Sequence, residues 1–221
     1  MKAIRTLAVV LAACTLLPVA AMAQSGRPFQ DSWFWGVKAG GTFMSAPSNS
    51  NVTSSMAGID WLITRKRGGV YVSLDQSFLS QYAAIADSVD VTDTPTIVKL
   101  KDMRRLTIAL MGYPGDWVRF HPYVGLGMTY SSVTQIIPQN AYGSSDQYTL
   151  AQQIIQQYRS AFSPTLLLGA QMEYKNAAIF AQAMGWQANQ NFFLSSSTRG
   201  YNASVEVGIR YNFSSSIAPD R

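Results

Sequence analysis

The chain has 221 residues, of which 48% are hydrophobic but only 13% charged, and its formal net charge is +5. Mean hydropathy is +0.03, so apolar residues are interleaved with polar ones instead of massed into spanning helices, which excludes a helical membrane bundle. The pI is near 9.4, but the basic residues are scattered and form no nucleic-acid-binding stripe.

The first element predicted is not part of the fold. Lys2 and Arg5 precede an uncharged apolar run from Thr6 to Leu17, then Pro18, and Ala21-Met22-Ala23 forms a small-residue cleavage site before Gln24. Residues 1–23 therefore read as a secretory signal peptide. Leu11-Ala12-Ala13-Cys14 also fits a lipoprotein signal, the competing reading. Cleavage after Ala23 removes Cys14, the only cysteine, and with it all thiol chemistry.

Eight segments then alternate apolar and polar residues with the period of two that marks a strand with unlike faces. The first spans Trp33 to Met44, with Trp35, Val37, Ala39 and Phe43 opposite Lys38 and Thr42. The second, Met56 to Arg65, sets Ala57, Ile59, Trp61 and Ile63 against Gly58, Asp60 and Thr64. The third, Val70 to Tyr82, sets Val70, Val72, Leu74 and Phe78 against Tyr71, Ser73, Asp75 and Ser77; Gln76 breaks the pattern, which fits a bulge or an error in this register. The fourth, Lys99 to Tyr113, alternates Leu106, Ile108 and Leu110 with Arg105, Thr107 and Ala109. The fifth runs from Tyr123 to Thr134 and the sixth from Ser163 to Tyr174, the latter with Glu173 on its polar face. The seventh, Ala178 to Gln187, is the weakest, because Phe180, Met184 and Trp186 share the face of Gln182. The eighth is the cleanest: Ala203, Val205, Val207, Ile209, Tyr211 and Phe213 oppose Asn202, Ser204, Glu206, Gly208, Arg210 and Asn212.

The connections alternate in length. Lys66-Arg67-Gly68-Gly69, Pro114-Gly115-Asp116 and Lys175-Asn176 are short and rich in turn residues, whereas Ser45 to Ser55, Ala83 to Val98, Gln135 to Phe162 and Ala188 to Gly200 are long. Short turns at one end and long loops at the other are what an outer-membrane barrel requires. The fold class expected is all-β: an eight-stranded antiparallel transmembrane up-and-down β-barrel over residues 24–213, with a short tail over 214–221. An even strand count puts both termini in the periplasm. In the third loop, Leu150, Ile154 and Tyr158 are four apart, which fits a short amphipathic helix or a strand continued above the membrane. Phe192-Phe193-Leu194 stands as an exposed apolar group in the fourth loop, for contact with a partner or lipid headgroups or for packing against neighbouring loops.

The segment Val207-Gly208-Ile209-Arg210-Tyr211-Asn212-Phe213 resembles the terminal insertion signal of bacterial outer-membrane barrels, with its Gly208, its aromatic Tyr211 and its final Phe213. Pro122-Tyr123-Val124-Gly125-Leu126-Gly127-Met128-Thr129-Tyr130 is similar to the fifth strand of small OmpA/OmpX-like barrels. The resemblance implies a barrel read by the assembly machinery through the edge of its last strand. Eight further residues follow Phe213 here, a departure from the usual pattern.

A strand in a bilayer keeps charge off its outward face. Lys38, Asp60, Asp75, Arg105, Glu173, Glu206 and Arg210 all fall on the inward face of this register. An eight-stranded barrel is only wide enough for side chains to fill it, so these seven are expected to form a lumen charge network that plugs the barrel, with Lys38 beside Glu206 across the closing seam. Trp33, Trp35, Trp117, Tyr174, Tyr211 and Phe213 are expected in an aromatic girdle near the turns.

Catalytic and metal chemistry find little support. His121, the only histidine, lies beside Pro122 at a turn, with no nucleophile at a telling spacing. Asp87, Asp90 and Asp93 in the second loop fit a solvated acidic loop better than a calcium site. The expectation is a non-enzymatic, integral outer-membrane barrel without metal or cofactor. Its partners would be outer-membrane lipid and lipopolysaccharide, with the assembly machinery during insertion and no nucleic acid; the protein would be a monomer. It would serve envelope integrity or surface interaction through four loops. A narrow or gated channel is the alternative, and a lipid-modifying enzyme the second.

Overall fold

The computed structural model describes residues 29–45, 51–85, 96–115, 119–139, 145–187, 192, 194 and 201–215. Eight strands follow one another: β1 (Ser32–Ser45), β2 (Asn51–Arg65), β3 (Gly68–Ile85), β4 (Thr96–Gly112), β5 (Phe120–Pro138), β6 (Ser160–Tyr174), β7 (Ala177–Gln187) and β8 (Tyr201–Ser215). Each pairs antiparallel with its chain neighbour, and β8 returns to β1, so the sheet closes into a barrel without an edge. Closure satisfies the main-chain ladder between strands, the condition for burying strands in lipid.

The register sets the faces. Lys38 stands between Gly58 of β2 and Gly208 of β8, Asp75 opposite Arg105, and Gln182 opposite Glu206. These positions point into the lumen, and their odd or even partners point out. The outer wall is apolar and solvent-accessible: Val37 is 63% exposed, Leu126 67% and Leu110 70%, while Lys38, Asp75, Arg105 and Glu206 are buried. Polarity is therefore inverted relative to a soluble protein, and a bilayer is the solvent such a wall suits.

Two tight turns have the backbone their length demands. Lys66 and Lys175, the first residues of two-residue turns, take φ of 45° and 56°. Gly68 and Gly69, expected in the turn, pair with Arg65 and Thr64 instead. The strands outrun the alternating segments at the opposite end, β2 beginning at Asn51 and β5 continuing to Pro138. Beyond the apolar belt both faces can be polar, so the ladder continues where the periodicity stops. Strand β8 likewise extends to Ser215, two residues past Phe213. Asp87, Asp90, Asp93, Trp117 and Phe193 lie outside the described residues.

The irregularity expected near Gln76 falls just after it. The β3–β4 register shifts between Ser77 and Ser80, opposite Asp102, whose φ is 56°. Gln76 itself stays outward and accepts a hydrogen bond from Arg104 Nε at 3.2 Å. Below this bulge Met103, Arg105 and Thr107 face inward; above it Leu100 and Val98 do. Strand β4 thus changes polarity, from charge inside and Leu106 outside to Leu100 inside and Lys101 outside.

Between β5 and β6 the chain forms α1 (Ser145–Gln157), so of the two readings for this loop the helix holds. Ala151 and Ile155 are buried on one face, and Tyr158 packs on the same apolar cluster. Arg159 anchors the exit, donating to the carbonyls of Val133 at 3.1 Å and Thr134 at 3.2 Å.

Candidate functional site: a three-tiered lumen

The middle tier is ionic. Glu206 is its hub: its Oε2 accepts from Lys38 Nζ at 2.7 Å and Gln182 Nε2 at 2.7 Å, and its Oε1 from Arg105 Nη2 at 2.7 Å and Ser204 Oγ at 2.7 Å. Asp75 pairs with the same two cations, at 2.9 Å from Lys38 and 3.1 Å from Arg105. Lys38, Arg105, Asp75 and Glu206 thus form a neutral square drawn from β1, β3, β4 and β8, with side chains at 0% exposure. Arg210 and Asp60 form a second neutral pair one step toward the turn end, 2.9 Å apart. Burial of charge on this scale is tolerated only when each ion is paired and hydrogen-bonded.

Four neutral side chains join the network. Tyr71 Oη accepts from Lys38 at 2.9 Å and from Gln182 at 2.9 Å. Gln182 Oε1 receives Tyr123 Oη at 3.0 Å, and Arg210 Nη1 donates to Gln171 Oε1 at 2.8 Å. The flat guanidinium groups also lie on rings, Arg210 at 3.7 Å over Phe180 and Arg105 at 4.5 Å over Trp186. Phe180 and Trp186, which weakened the reading of β7, face inward as stacking surfaces for those cations. Alternation gave no sign that Gln182 and Tyr71 would bridge the ions; their place on the polar faces was visible, their role was not.

Small residues make room for this tier. A Cβ on Gly58 would stand 2.2 Å from Asp75 Oδ1, and one on Gly40 would stand 2.0 Å from the Val205 carbonyl oxygen. Gly208 is bound by the same condition, since its Cβ would meet the Val37 carbonyl at 2.4 Å and the Phe180 ring at 2.6 Å.

An apolar tier lies at each end. At the loop end Met44, Val52, Leu79, Val98, Leu100, Met103, Val133 and Trp186 pack with Ile155 of α1 and with Phe192 and Leu194. Of the fourth-loop group, Phe192 and Leu194 are therefore not exposed: they turn inward and pack in the loop-end cluster. At the turn end Phe34, Leu62, Tyr113, Tyr123 and Leu167 surround Phe29, which precedes β1. Phe29 stacks on His121 at 3.9 Å, meets Tyr113 edge-on at 4.7 Å, and its carbonyl accepts a hydrogen bond from Thr64 Oγ1.

Of the seven acids and bases expected in one network, six are gathered in the middle tier. Glu173 is not among them. It sits at the turn end on β6, its Oε2 3.7 Å from His121 Nε2. The physical reason is height: Glu173 is next to the last residue of β6, beyond the level that Arg210 reaches. His121 stacks on the plug residue Phe29 and faces this carboxylate. Among the described residues, no three acidic, histidine or cysteine side chains gather into a metal site.

On the outer wall Tyr211 and Phe213 meet edge-on at 5.0 Å, and Trp61 lies between Trp33 at 5.6 Å and Trp35 at 5.8 Å. Tyr211 pairs with Trp35 across the β1–β8 seam, and the register slips at Phe213, between Trp33 and Phe34. Gly208, Tyr211 and Phe213 thus share the closing strand: the glycine fits the lumen, and the aromatics form an outward cluster with the tryptophans.

No family model matches the sequence, and no curated protein does. Among solved structures, the chain is similar to Neisserial surface protein A, at 13% identity and a TM-score of 0.49 over 82% of this chain and 97% of that one. The outer membrane protein OprG of Pseudomonas aeruginosa aligns at 11% identity and a TM-score of 0.47, over 84% and 98%. Ail, the attachment invasion locus protein of Yersinia pestis, aligns at 12% identity and a TM-score of 0.45, over 82% and 99%.

Proposed function

We propose that this protein is an integral outer-membrane barrel that conducts no solute and acts through its wall and its extracellular loops, in envelope integrity or surface interaction. The observation that supports this reading is the three tiers of side chains buried inside the barrel. An apolar seal including Trp186, Phe192 and Leu194 closes the loop end, one around Phe29 closes the turn end, and a neutral ion-paired layer lies between. A solute path would have to breach all three tiers. The inverted wall supports placement in a bilayer. The turns then face the periplasm with both termini, and the loops with α1 face outward. Tyr211 and Phe213, on the strand that completes the barrel, serve as its assembly signal in this reading.

His121 supports a structural role. Its ring is stacked on Phe29 inside the periplasmic mouth, away from the outer rim where lipid chemistry would take place. The test is conductance. Purified protein reconstituted in planar bilayers should leave the current at baseline, and discrete steps at low voltage would overturn the closed-lumen reading. Migration on SDS gels tests the barrel itself: folded protein should shift on boiling, and an unshifted band would remove the premise.

A further inference from the structure

The outer wall carries almost no charge, with one exception in its upper half. Among the described residues of the strands, the outward-facing charged side chains above the apolar belt all belong to β4: Lys99, Lys101 and Arg104. They lie on the same face as Leu106, Ile108 and Leu110, which are exposed to the bilayer. Arg104 is two residues beyond Leu106, roughly 7 Å along the strand. Leu106 is level with Tyr130, which packs against Phe162 at 4.8 Å, and such outward rings mark the interface. The bulge at Asp102 follows at once, and there β4 turns its apolar side inward and its charged side out. The boundary between hydrocarbon and headgroups therefore falls between Leu106 and Arg104.

The neighbours of the three cations are neutral. Gln76 and Ser132 flank Arg104, Ser80 and Gln135 flank Lys101, and Tyr82 and Ile137 flank Lys99. Lys99 rests over the Tyr82 ring at 5.7 Å, and Arg104 bonds the Gln76 amide. The one acid of the segment, Asp102, is half-buried in the bulge. The lumen pairs all six of its central charges, whereas this row spans six residues of one strand and, among the described residues, has no carboxylate paired to it.

We infer that the outward face of β4 at Lys99, Lys101 and Arg104 binds the phosphates of an anionic lipid of the outer leaflet, with the acyl chains lying along Leu106, Ile108 and Leu110. The inference rests on the outer-membrane placement proposed above. Phosphate is the fitting chemistry because the site offers cations and amides at headgroup depth, directly above an apolar track. A soluble anion would have no use for that track.

The test compares wild-type protein with the Lys99→Gln, Lys101→Gln, Arg104→Gln triple variant, both folded in neutral detergent. Binding of purified bisphosphorylated lipid A and of the same lipid with its phosphates removed is read by native mass spectrometry. Each cation near an anionic surface multiplies affinity by roughly five, so the triple variant should bind phosphorylated lipid A roughly a hundredfold more weakly. The dephosphorylated lipid should not distinguish the two proteins. Ser80→Glu, which places a carboxylate beside Lys101 without removing a cation, should weaken binding in the same direction. Equal binding by the triple variant, or undiminished wild-type binding of the dephosphorylated lipid, would overturn the inference. So would displacement of lipid A by millimolar inorganic phosphate, which would identify a site for free anions. Loss of the boiling-dependent gel shift in both proteins would instead refute the barrel reading; an intact shift with unchanged lipid binding refutes this inference alone.

Discussion

Glu206→Gln is the sharpest perturbation of the lumen. The carboxylate accepts four hydrogen bonds, each at 2.7 Å, from Lys38, Arg105, Ser204 and Gln182. The substitution keeps the shape but removes the charge, leaving Lys38 and Arg105 to share Asp75 alone at zero exposure. The tier then carries one uncompensated positive charge, and removal of one partner from a buried ion pair costs about 3–5 kcal/mol. Lys38→Met on top of Glu206→Gln restores neutrality, since Arg105 and Asp75 remain as a pair. The double variant should therefore be more stable than the sum of the single losses, with a coupling of about 2 kcal/mol. The assay is urea unfolding in detergent micelles or lipid vesicles, followed by tryptophan fluorescence and by the boiling-dependent gel shift. A Glu206→Gln variant within about 0.5 kcal/mol of wild type, the range of an inconsequential surface change, would refute the reasoning. Strict additivity in the double variant would do the same. Neither variant should conduct in planar bilayers, because the apolar tiers at both ends are untouched.

Three further outcomes follow from the same geometry. Gly40→Ala should block closure of β1 on β8, since its Cβ would stand 2.0 Å from the Val205 carbonyl, whereas Gly41→Ala, with nothing nearer than 3.7 Å, should fold normally; the gel shift on boiling reads both. Val207→Arg, on the outer wall of β8, should cost about 2–4 kcal/mol in a bilayer if Val207 lies near the midplane, while Ser80→Arg at headgroup depth should cost no more than about 1 kcal/mol, both measured by urea unfolding from vesicles. Phe29→Ala should unstopper the turn-end mouth, and the rate at which diethyl pyrocarbonate modifies His121 should rise while the gel shift persists.

The belt of the barrel was legible because the bilayer enforces a period of two. Strand β8, from Ala203 to Phe213, alternates without error, and the inward places of Lys38, Asp60, Asp75, Arg105, Glu206 and Arg210 follow from that pattern alone. What alternation cannot see is height along the axis. Glu173 has the right parity but the wrong level, so it meets His121 at the mouth instead of Arg210 in the lumen. The apolar seals were illegible for a related reason. Val98, Leu100 and Met103 lie inward where water replaces lipid outside, and the bulge at Asp102 changes the parity on the way. Phe180, Met184 and Trp186 looked like blemishes in β7 because an apolar residue on a polar face contradicts the rule for a watery lumen; this lumen is packed, and cations stack on two of those rings.

The interleaving of outward apolar and inward polar side chains also has a consequence before the barrel exists. A chain bound for the outer membrane must first pass the inner one, where a continuous apolar stretch of about 18 residues or more would be retained as a helix. Lys38, Asp60, Asp75, Arg105, Glu173, Glu206 and Arg210 interrupt six of the eight strands, and no strand of this protein presents such a stretch. In the proposed placement, the same seven residues let the nascent chain travel as a passenger through one membrane and, once folded, leave its outward side chains to occupy the second.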